Sequence, residues 1–262
     1  MIYDEHLHEI GAGSLPVSYT TIAPGDAMRR IVHRYFVMEN KPCVDMEKTF
    51  ILPDNSAHLI FCLYDHKNTI VPVWTVVGPR SRHIVINRRH RRFTFICTFK
   101  PGGIRSFLKV PLNEIRDLPV DASQILENYK TSIFDRLTCD ALRSDTVAFK
   151  IHLEDFLNNG WVAAHPVVRG FYKKISGENY SLKAVAKELG YSDRQLRNLI
   201  QCNVGHSPKM VQLIERFATS LRLRKSNDNW ASIAHSSGYY DQSHMIGDYQ
   251  RLVGTSPERL LY

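Results

Sequence analysis

The chain lacks the cysteine spacing of zinc ribbons and dithiol redox sites. Its five cysteines, Cys43, Cys62, Cys97, Cys139 and Cys202, are scattered, odd in number and include no Cys-x-x-Cys pair. A reducing cytoplasm is the compartment this usage fits. There is no run of about twenty apolar residues, which excludes a membrane-spanning helix. Met1 to Ser14 carry Asp4, Glu5, His6, His8 and Glu9 without an apolar centre, so this stretch does not read as a signal peptide. A soluble, cytoplasmic protein is expected. Histidines suitable for a barrel metal site would be His6-x-His8-Glu9, His33, His58 and His83, but no compact His-x-His with a downstream carboxylate lies among the strand-like segments. Core or surface histidines are the favoured reading, and no metal, cofactor or catalytic residue is assigned. Ser, His and Asp are frequent, yet no triad can be picked out.

What is present is length enough for two ordinary domains, and an uneven charge. Of the net +8 on 262 residues, +6 falls on residues 166–262, which hold 14 Lys plus Arg against 8 Asp plus Glu. A basic C-terminal third beside a nearly neutral remainder fits a phosphate-binding module attached to something else, although such charge also serves solubility or membrane-surface affinity.

The same third contains a repeat. Ala186 to Pro208 and Ala234 to Pro257 each carry Ala, three residues, Gly-Tyr, a capping residue, a mixed polar and apolar run, and Val-Gly-x-Ser-Pro. Leu182, Val185, Ala186 and Leu189 fall at i, i+3, i+4 and i+7, one apolar helical face; Trp230, Ile233, Ala234 and Ser237 occupy the same offsets. Gly190 and Gly238 suit a helix stopping in a left-handed residue, and the small Ala lets the next helix cross closely. A duplicated helix-turn-helix is expected over 182–203 and 230–253. One such helical pair also occurs in ordinary bundles; two spaced copies argue for the DNA-binding motif.

The helix after each turn is the candidate reader. Ser192 with Gln195 forms a capping box, and Asp241 caps the second helix. With Leu196, Leu199 and Ile200 inward, Asp193, Arg194, Arg197, Asn198 and Gln201 project outward. Arg pairs with guanine O6 and N7 and Asn with adenine, so Arg194, Arg197 and Asn198 are assigned to base edges. Lys183 and Lys187 are assigned to phosphate. In the second copy Met245, Tyr249 and Leu252 turn inward, leaving Gln242, Ser243, Ile246, Gly247 and Gln250 outward. Its base-reading candidates, Gln242, Ser243 and Gly247, offer fewer charged donors and predict a weaker, more position-tolerant contact.

These residues carry a family resemblance. Gly238-Tyr239-Tyr240-Asp241-Gln242-Ser243-His244-Met245 with Val253-Gly254-Thr255-Ser256-Pro257, and Leu189 to Leu196 with Gly205-His206-Ser207-Pro208, resemble the C-terminal domain of AraC/XylS-type bacterial transcription regulators. The resemblance spans Lys187 to Tyr262. It implies two helix-turn-helix units joined by a long helix, here from Pro208 to about Lys225 with Val211, Ile214, Phe217, Ala218 and Leu221 inward. It also implies double-stranded DNA and RNA polymerase as partners. Gly247 departs from the pattern, since many relatives carry an Arg that contacts DNA there.

The N-terminal part reads as strands: Thr49–Leu52, Ala57–Tyr64, Thr69–Val77, His83–Asn87 and Phe93–Phe99, separated by turn residues. Ile104, Phe107 and Leu108 read as a short helix. Leu52-Pro53-Asp54, Val77-Gly78-Pro79-Arg80, Phe99 to Gly103 and Val110-Pro111-Leu112 are similar to the N-terminal domain of a subset of these regulators. In the wider family such domains are cupin-like, bind a small effector or dimerise. The fold expected is α+β: a cupin-like β-barrel or sandwich with short helices over 1–144, a linking helix and loop over 145–165 that includes Phe149, Ile151, Leu153, Phe156 and Leu157, and an all-α DNA-binding domain over 166–262. Lys100, Gly102, Gly103 and Arg105 form a candidate anion or effector site at a helix start. The run Asn87-Arg88-Arg89-His90-Arg91-Arg92 reads as a solvated hairpin tip, or else as an anion, DNA or partner patch.

Two other functions compete with a regulator. Some alkyl-repair methyltransferases carry an AraC-like domain with a cysteine acceptor, but Pro42-Cys43 is followed by Val44-Asp45 rather than the expected His-Arg. The other is a cupin-like enzyme with a DNA-binding tail. The resemblance implies a homodimer formed through the N-terminal domain, although a duplicated reader removes the symmetry requirement that makes simple helix-turn-helix proteins pair.

Overall fold

The computed structural model describes residues 9–10, 19–39, 48–67, 69–87, 90–127, 129–160, 165–175, 181–224 and 229–260. His6, His8, Cys43, Arg88, Arg89 and the turn at 176–179 lie outside the described residues.

The strands are β1 (Glu9–Ile10), β2 (Tyr19–Ile22), β3 (Val32–Glu39), β4 (Lys48–Ile51), β5 (His58–His66), β6 (Thr69–Val77), β7 (Ile84–Asn87), β8 (Arg91–Phe99) and β9 (Pro119–Asp121). They form two sheets, β1-β4-β7 and β2-β3-β8-β5-β6-β9, with every pairing antiparallel. The five expected strands are all found. Four more, β1, β2, β3 and β9, were not anticipated, and β3 is central: it pairs with β8 along its length.

Successive strand residues face opposite sides, and the large sheet uses both. Tyr35, Val37, Leu59, Phe61, Trp74, Val76, Phe95 and Cys97 enter one core. Their neighbours Phe36, Met38, Ile60, Val73, Thr75 and Ile96 line the space on the other side. A sheet covered on both faces carries no simple apolar-polar alternation, which is why β3 resembles no half-buried strand.

After β9 come α1 (Ala122–Ile125), α2 (Thr131–Leu142) and α3 (Thr146–Gly160). The expected linking helix is α3, and it packs into the sheet core through Phe149, Leu153, Phe156 and Leu157. Phe149 sits at its centre, 4.4 Å from Phe95 and stacked on Trp74 at 5.9 Å between ring centroids. The segment around Ile104 is a single 3-10 turn, Arg105–Phe107, shorter than the expected helix.

The C-terminal part comprises α4 (Pro166–Ile175), α5 (Leu182–Glu188), α6 (Asp193–Val204), α7 (Pro208–Leu223), α8 (Trp230–Ser236), α9 (Gln242–Val253) and α10 (Pro257–Leu260). Two cores divide it. Val167, Phe171, Val185, Ala186, Leu196 and Ile200 pack with Val211, at the start of α7. Leu213, Ile214, Phe217 and Leu221, further along α7, pack with Trp230, Ile233, Met245 and Tyr249. One helix therefore contributes to both halves, as a rigid joint between repeats must.

Candidate nucleic-acid interface and the barrel cavity

Each reader helix is fixed by local chemistry. Ser192 Oγ accepts from the Gln195 amide at 3.3 Å while Gln195 Oε1 accepts from the Ser192 amide at 2.9 Å, so the expected capping box is complete. Asp241 Oδ1 accepts from the His244 amide at 2.7 Å. Before them, Gly190 and Gly238 turn the chain with φ of +77° and +80°, a region L side chains avoid.

The apolar faces are consumed. Leu196 and Ile200 of α6, and Met245, Tyr249 and Leu252 of α9, are buried. Opposite them, Arg194, Arg197, Asn198, Lys183, Lys187, Ser243 and Gly247 are exposed and Gln242 is half-buried. Lys183, Lys187, Tyr191, Ser192 and Arg197 line one open groove around the first turn. Arg197 Nε donates to Asp193 Oδ2 at 2.9 Å, an exposed i,i+4 pair that holds the guanidinium weakly. In the second unit, Arg216 of α7 bonds Asp248 at 3.1 Å and lies over the Tyr239 ring at 4.9 Å. That clamp ties α9 to α7, and sequence reading missed it because its partner Arg216 lies 32 residues away on another helix. Around Gly247 nothing lies within 4 Å of where a Cβ would stand, so packing does not require a glycine there.

At the expected anion site, Lys100, Gly102, Gly103 and Arg105, several donors have partners within the fold. The Gly103 amide donates to Lys100 O and the Arg105 amide to Gly102 O, while the Arg105 guanidinium donates to Leu108 O. The glycine pair serves close packing: a Cβ on Gly103 would stand 2.4 Å from Ile31 O, and one on Gly102 3.3 Å from Asn203 O. The Lys100 ammonium donates to Arg29 O.

A different concavity lies between the two sheets, a cavity of about 330 Å³. Phe36, Met38, Ile60, Val73, Val77 and Ile96 supply its apolar wall; His58, Tyr64, Arg80, Arg91, Thr98 and Asp117 supply polar atoms. One residue of the basic run, Arg91, lines it. His90 takes φ 65° at the turn before β8, and Arg91 lies over the Tyr64 ring at 5.6 Å, while Arg92 is exposed.

At one end of the cavity stands a buried ionic group. Asp54 and Arg80 side chains are 4% and 5% exposed and meet at 3.0 Å. His58 Nε2 lies 2.8 Å from the same Asp54 oxygen and its Nδ1 lies 3.1 Å from Thr98 Oγ1. With Nε2–H donating to the carboxylate and Thr98 donating to Nδ1, the ring is neutral. Burial pushes its pKa below the ordinary value, against the opposing pull of Asp54.

The loop carrying Asp54 also touches the helical domain. His206, in the turn between α6 and α7, is fully buried and its Nε2–H donates to Asp54 O at 3.3 Å. Asn55 Nδ2 donates to Val211 O at 3.1 Å and to Glu215 Oε1 at 3.0 Å, and Leu52 joins the α7–α9 core. Gly205 has φ +87°, and a Cβ there would meet Pro79 Cγ at 2.8 Å. The His83 amide donates to Leu252 O at 2.9 Å, the matching contact on the second unit. Among the described residues, no group of three His, Cys, Asp or Glu is placed to hold a metal, and no helix is long and apolar enough to cross a membrane.

Residues 185–261 match a family described as a helix-turn-helix domain, and residues 20–121 match a domain of unknown function. The C-terminal part of the chain is thus a helix-turn-helix domain of the AraC type, a DNA-binding class. No curated protein matches the chain. Among solved structures it is similar to ToxT from Vibrio cholerae, with 12% identity, a TM-score of 0.46 and coverage of 93% of this chain and 98% of that one. A second ToxT structure, bound to (E)-4-(8-methylnaphthalen-1-yl)but-3-enoic acid, gives 11% identity and a TM-score of 0.45 over 93% and 98% of the two chains. A third, wild-type ToxT bound to an unsaturated fatty acid, gives 14% and 0.38 over 92% and 93%.

Proposed function

We propose that the chain is a sequence-specific transcription regulator of the cytoplasm, without enzymatic activity of its own, whose barrel senses a small effector. Arg194, Arg197 and Asn198 read base edges from α6, with Lys183 and Lys187 on phosphate. Gln242, Ser243 and Gly247 give α9 a weaker contact one DNA turn away. Residues 1–144 sense, 145–165 connect and 166–262 bind DNA. The observation that carries the reading is the twinned motif with both apolar faces consumed and both polar faces uncovered by the barrel.

The cavity between the sheets is the effector site in this reading. Its walls suit an apolar molecule with one hydrogen-bond-accepting end, since Arg80 and Arg91 are its cationic residues. RNA polymerase is the protein partner the family likeness implies. Self-association belongs to the same reading, and Val147 and Ile151, exposed one turn apart on α3, offer it an apolar stripe.

Selection of genomic DNA fragments by the full chain tests the proposal. A shared sequence of two unequal half-sites is expected, with mass spectrometry of the purified protein reporting any retained small molecule. Enrichment of no sequence over bulk DNA, with the protein folded, would reject the regulator.

A further inference from the structure

The loop Leu52–Ser56 faces two ways. Toward the cavity, the Asp54 carboxylate is held by Arg80 and His58, both cavity-lining, and the Asp54 and Arg80 main chains exchange two hydrogen bonds of 3.2 Å. Arg80 Nε adds a 3.4 Å bond to Leu52 O. Toward the helical domain, the same few residues supply the acceptor for His206, the Asn55 donor to Val211 O and Glu215, and the Leu52 side chain in the α7–α9 core. These polar contacts between the loop and the α6–α7 junction are therefore one residue or less from a group whose position Arg80 sets.

We propose that this loop is a latch: a cavity occupant that bonds the Arg80 guanidinium draws it from Asp54 and loosens the seat of the α6–α7 junction on the barrel. The proposal rests on the reading of the cavity as an effector site. Its physical ground is competition for donors. An acceptor inside the cavity and the Asp54 carboxylate cannot both take the same Nη2–H in one geometry, and a buried carboxylate that loses a charge-assisted bond must move or find another partner. The backbone pairing of Asp54 with Arg80 transmits that movement to Asp54 O and Asn55. Because loosening and binding share one equilibrium, breaking the junction side must in turn favour occupancy.

The test is hydrogen exchange on the full chain with 1-anilinonaphthalene-8-sulfonate, an apolar anion, as the probe. Occupancy should protect β5 and β6 amides and speed exchange at 205–214 by about tenfold, as expected for loss of one charge-assisted bond, with α3 amides, away from the cavity lining, as the reference for global stability. Asn55→Ala should show fast exchange at 205–214 without the probe, bind the probe more tightly and gain no further acceleration from it. Protection of β5 and β6 with unchanged exchange at 205–214 would overturn the latch and leave the effector site standing. If the probe protects neither strand, Arg80→Gln, which takes the guanidinium from Asp54 without any occupant, decides by the same readout: faster exchange at 205–214 than in the parent supports the latch, and unchanged exchange there in the folded variant overturns it.

Discussion

Mild acid should weaken the fold through two histidines that meet one loop. His58 is buried among Asp54, Arg80 and Thr98, and His206 is buried against Asp54 O with Asp117 and Arg116 nearby. For both, burial lowers the pKa from the ordinary value. The unfolded chain therefore binds protons that the folded chain refuses. The stability each neutral ring contributes is complete above an unfolded pKa of about 6.5 and is lost as pH falls below it toward the folded value. Each group approaches at most about 1.4 kcal/mol per pH unit well inside that window, so the slope of the pair acting together stays at or below about 2.8 kcal/mol per unit. Urea titrations followed by circular dichroism at steps from pH 7.5 to 5.5 measure it, above the range where carboxylates dominate. His206→Gln keeps a side-chain donor for Asp54 O and should remove about half the slope; His58→Gln should remove the other half, whatever either does to stability at pH 7.5. Slopes in both variants equal to that of the parent would refute the assignment.

Three further outcomes follow from the helical domain. Arg197→Ala should cost about 1–3 kcal/mol on the selected DNA site and relax preference at one base pair, while the lost pair with Asp193 changes stability by only about 0.3–0.5 kcal/mol; equal weakening on random DNA in a competition titration would reject base reading. Lys187→Ala should weaken all sequences alike and lower the slope of log affinity against log salt by about 1, so an undiminished slope would remove Lys187 from the phosphate. Gly247→Ala should raise stability by about 0.5–1 kcal/mol in thermal melts, because a Cβ meets nothing there; a fall in DNA affinity in the same variant would mean that the glycine admits close approach of the duplex.

The helical domain was legible because its signals are local. Ala186-x3-Gly190 and Ala234-x3-Gly238, the Ser192–Gln195 box and the Asp241 cap each act within a few residues, and each appears where its spacing put it. The barrel was half legible. Strands bounded by turn residues were found, whereas β3, with Tyr35 and Val37 in one core and Phe36 and Met38 on the cavity, carries no period that separates strand from buried helix. The Gly102–Gly103 pair is ambiguous for a related reason: a glycine pair looks the same in sequence whether its amides await a ligand or its missing side chains admit Ile31 O and Asn203 O. The Asp54–His58–Arg80 group was beyond reach, since 26 residues separate Asp54 from Arg80 and only the pairing of two loops joins them.

The two readers are unequal, and the barrel treats them unequally. The first has two arginines, an asparagine and two lysines on its outer surface, and the junction behind it is bonded to the barrel through His206, Asn55 and the packing of Gly205 on Pro79. The second presents Gln242, Ser243 and Gly247, and among the described residues its helix is joined to the barrel by the His83 amide on Leu252 O. A change in the barrel that moves the α6–α7 junction shifts α6 directly, and is carried on to α9 by α7, whose apolar side packs with Trp230, Met245 and Tyr249. Control placed at that junction acts on the reader with the greater capacity for base contacts, and α9, clamped to α7 through Asp248 and Arg216, follows the orientation that α7 adopts.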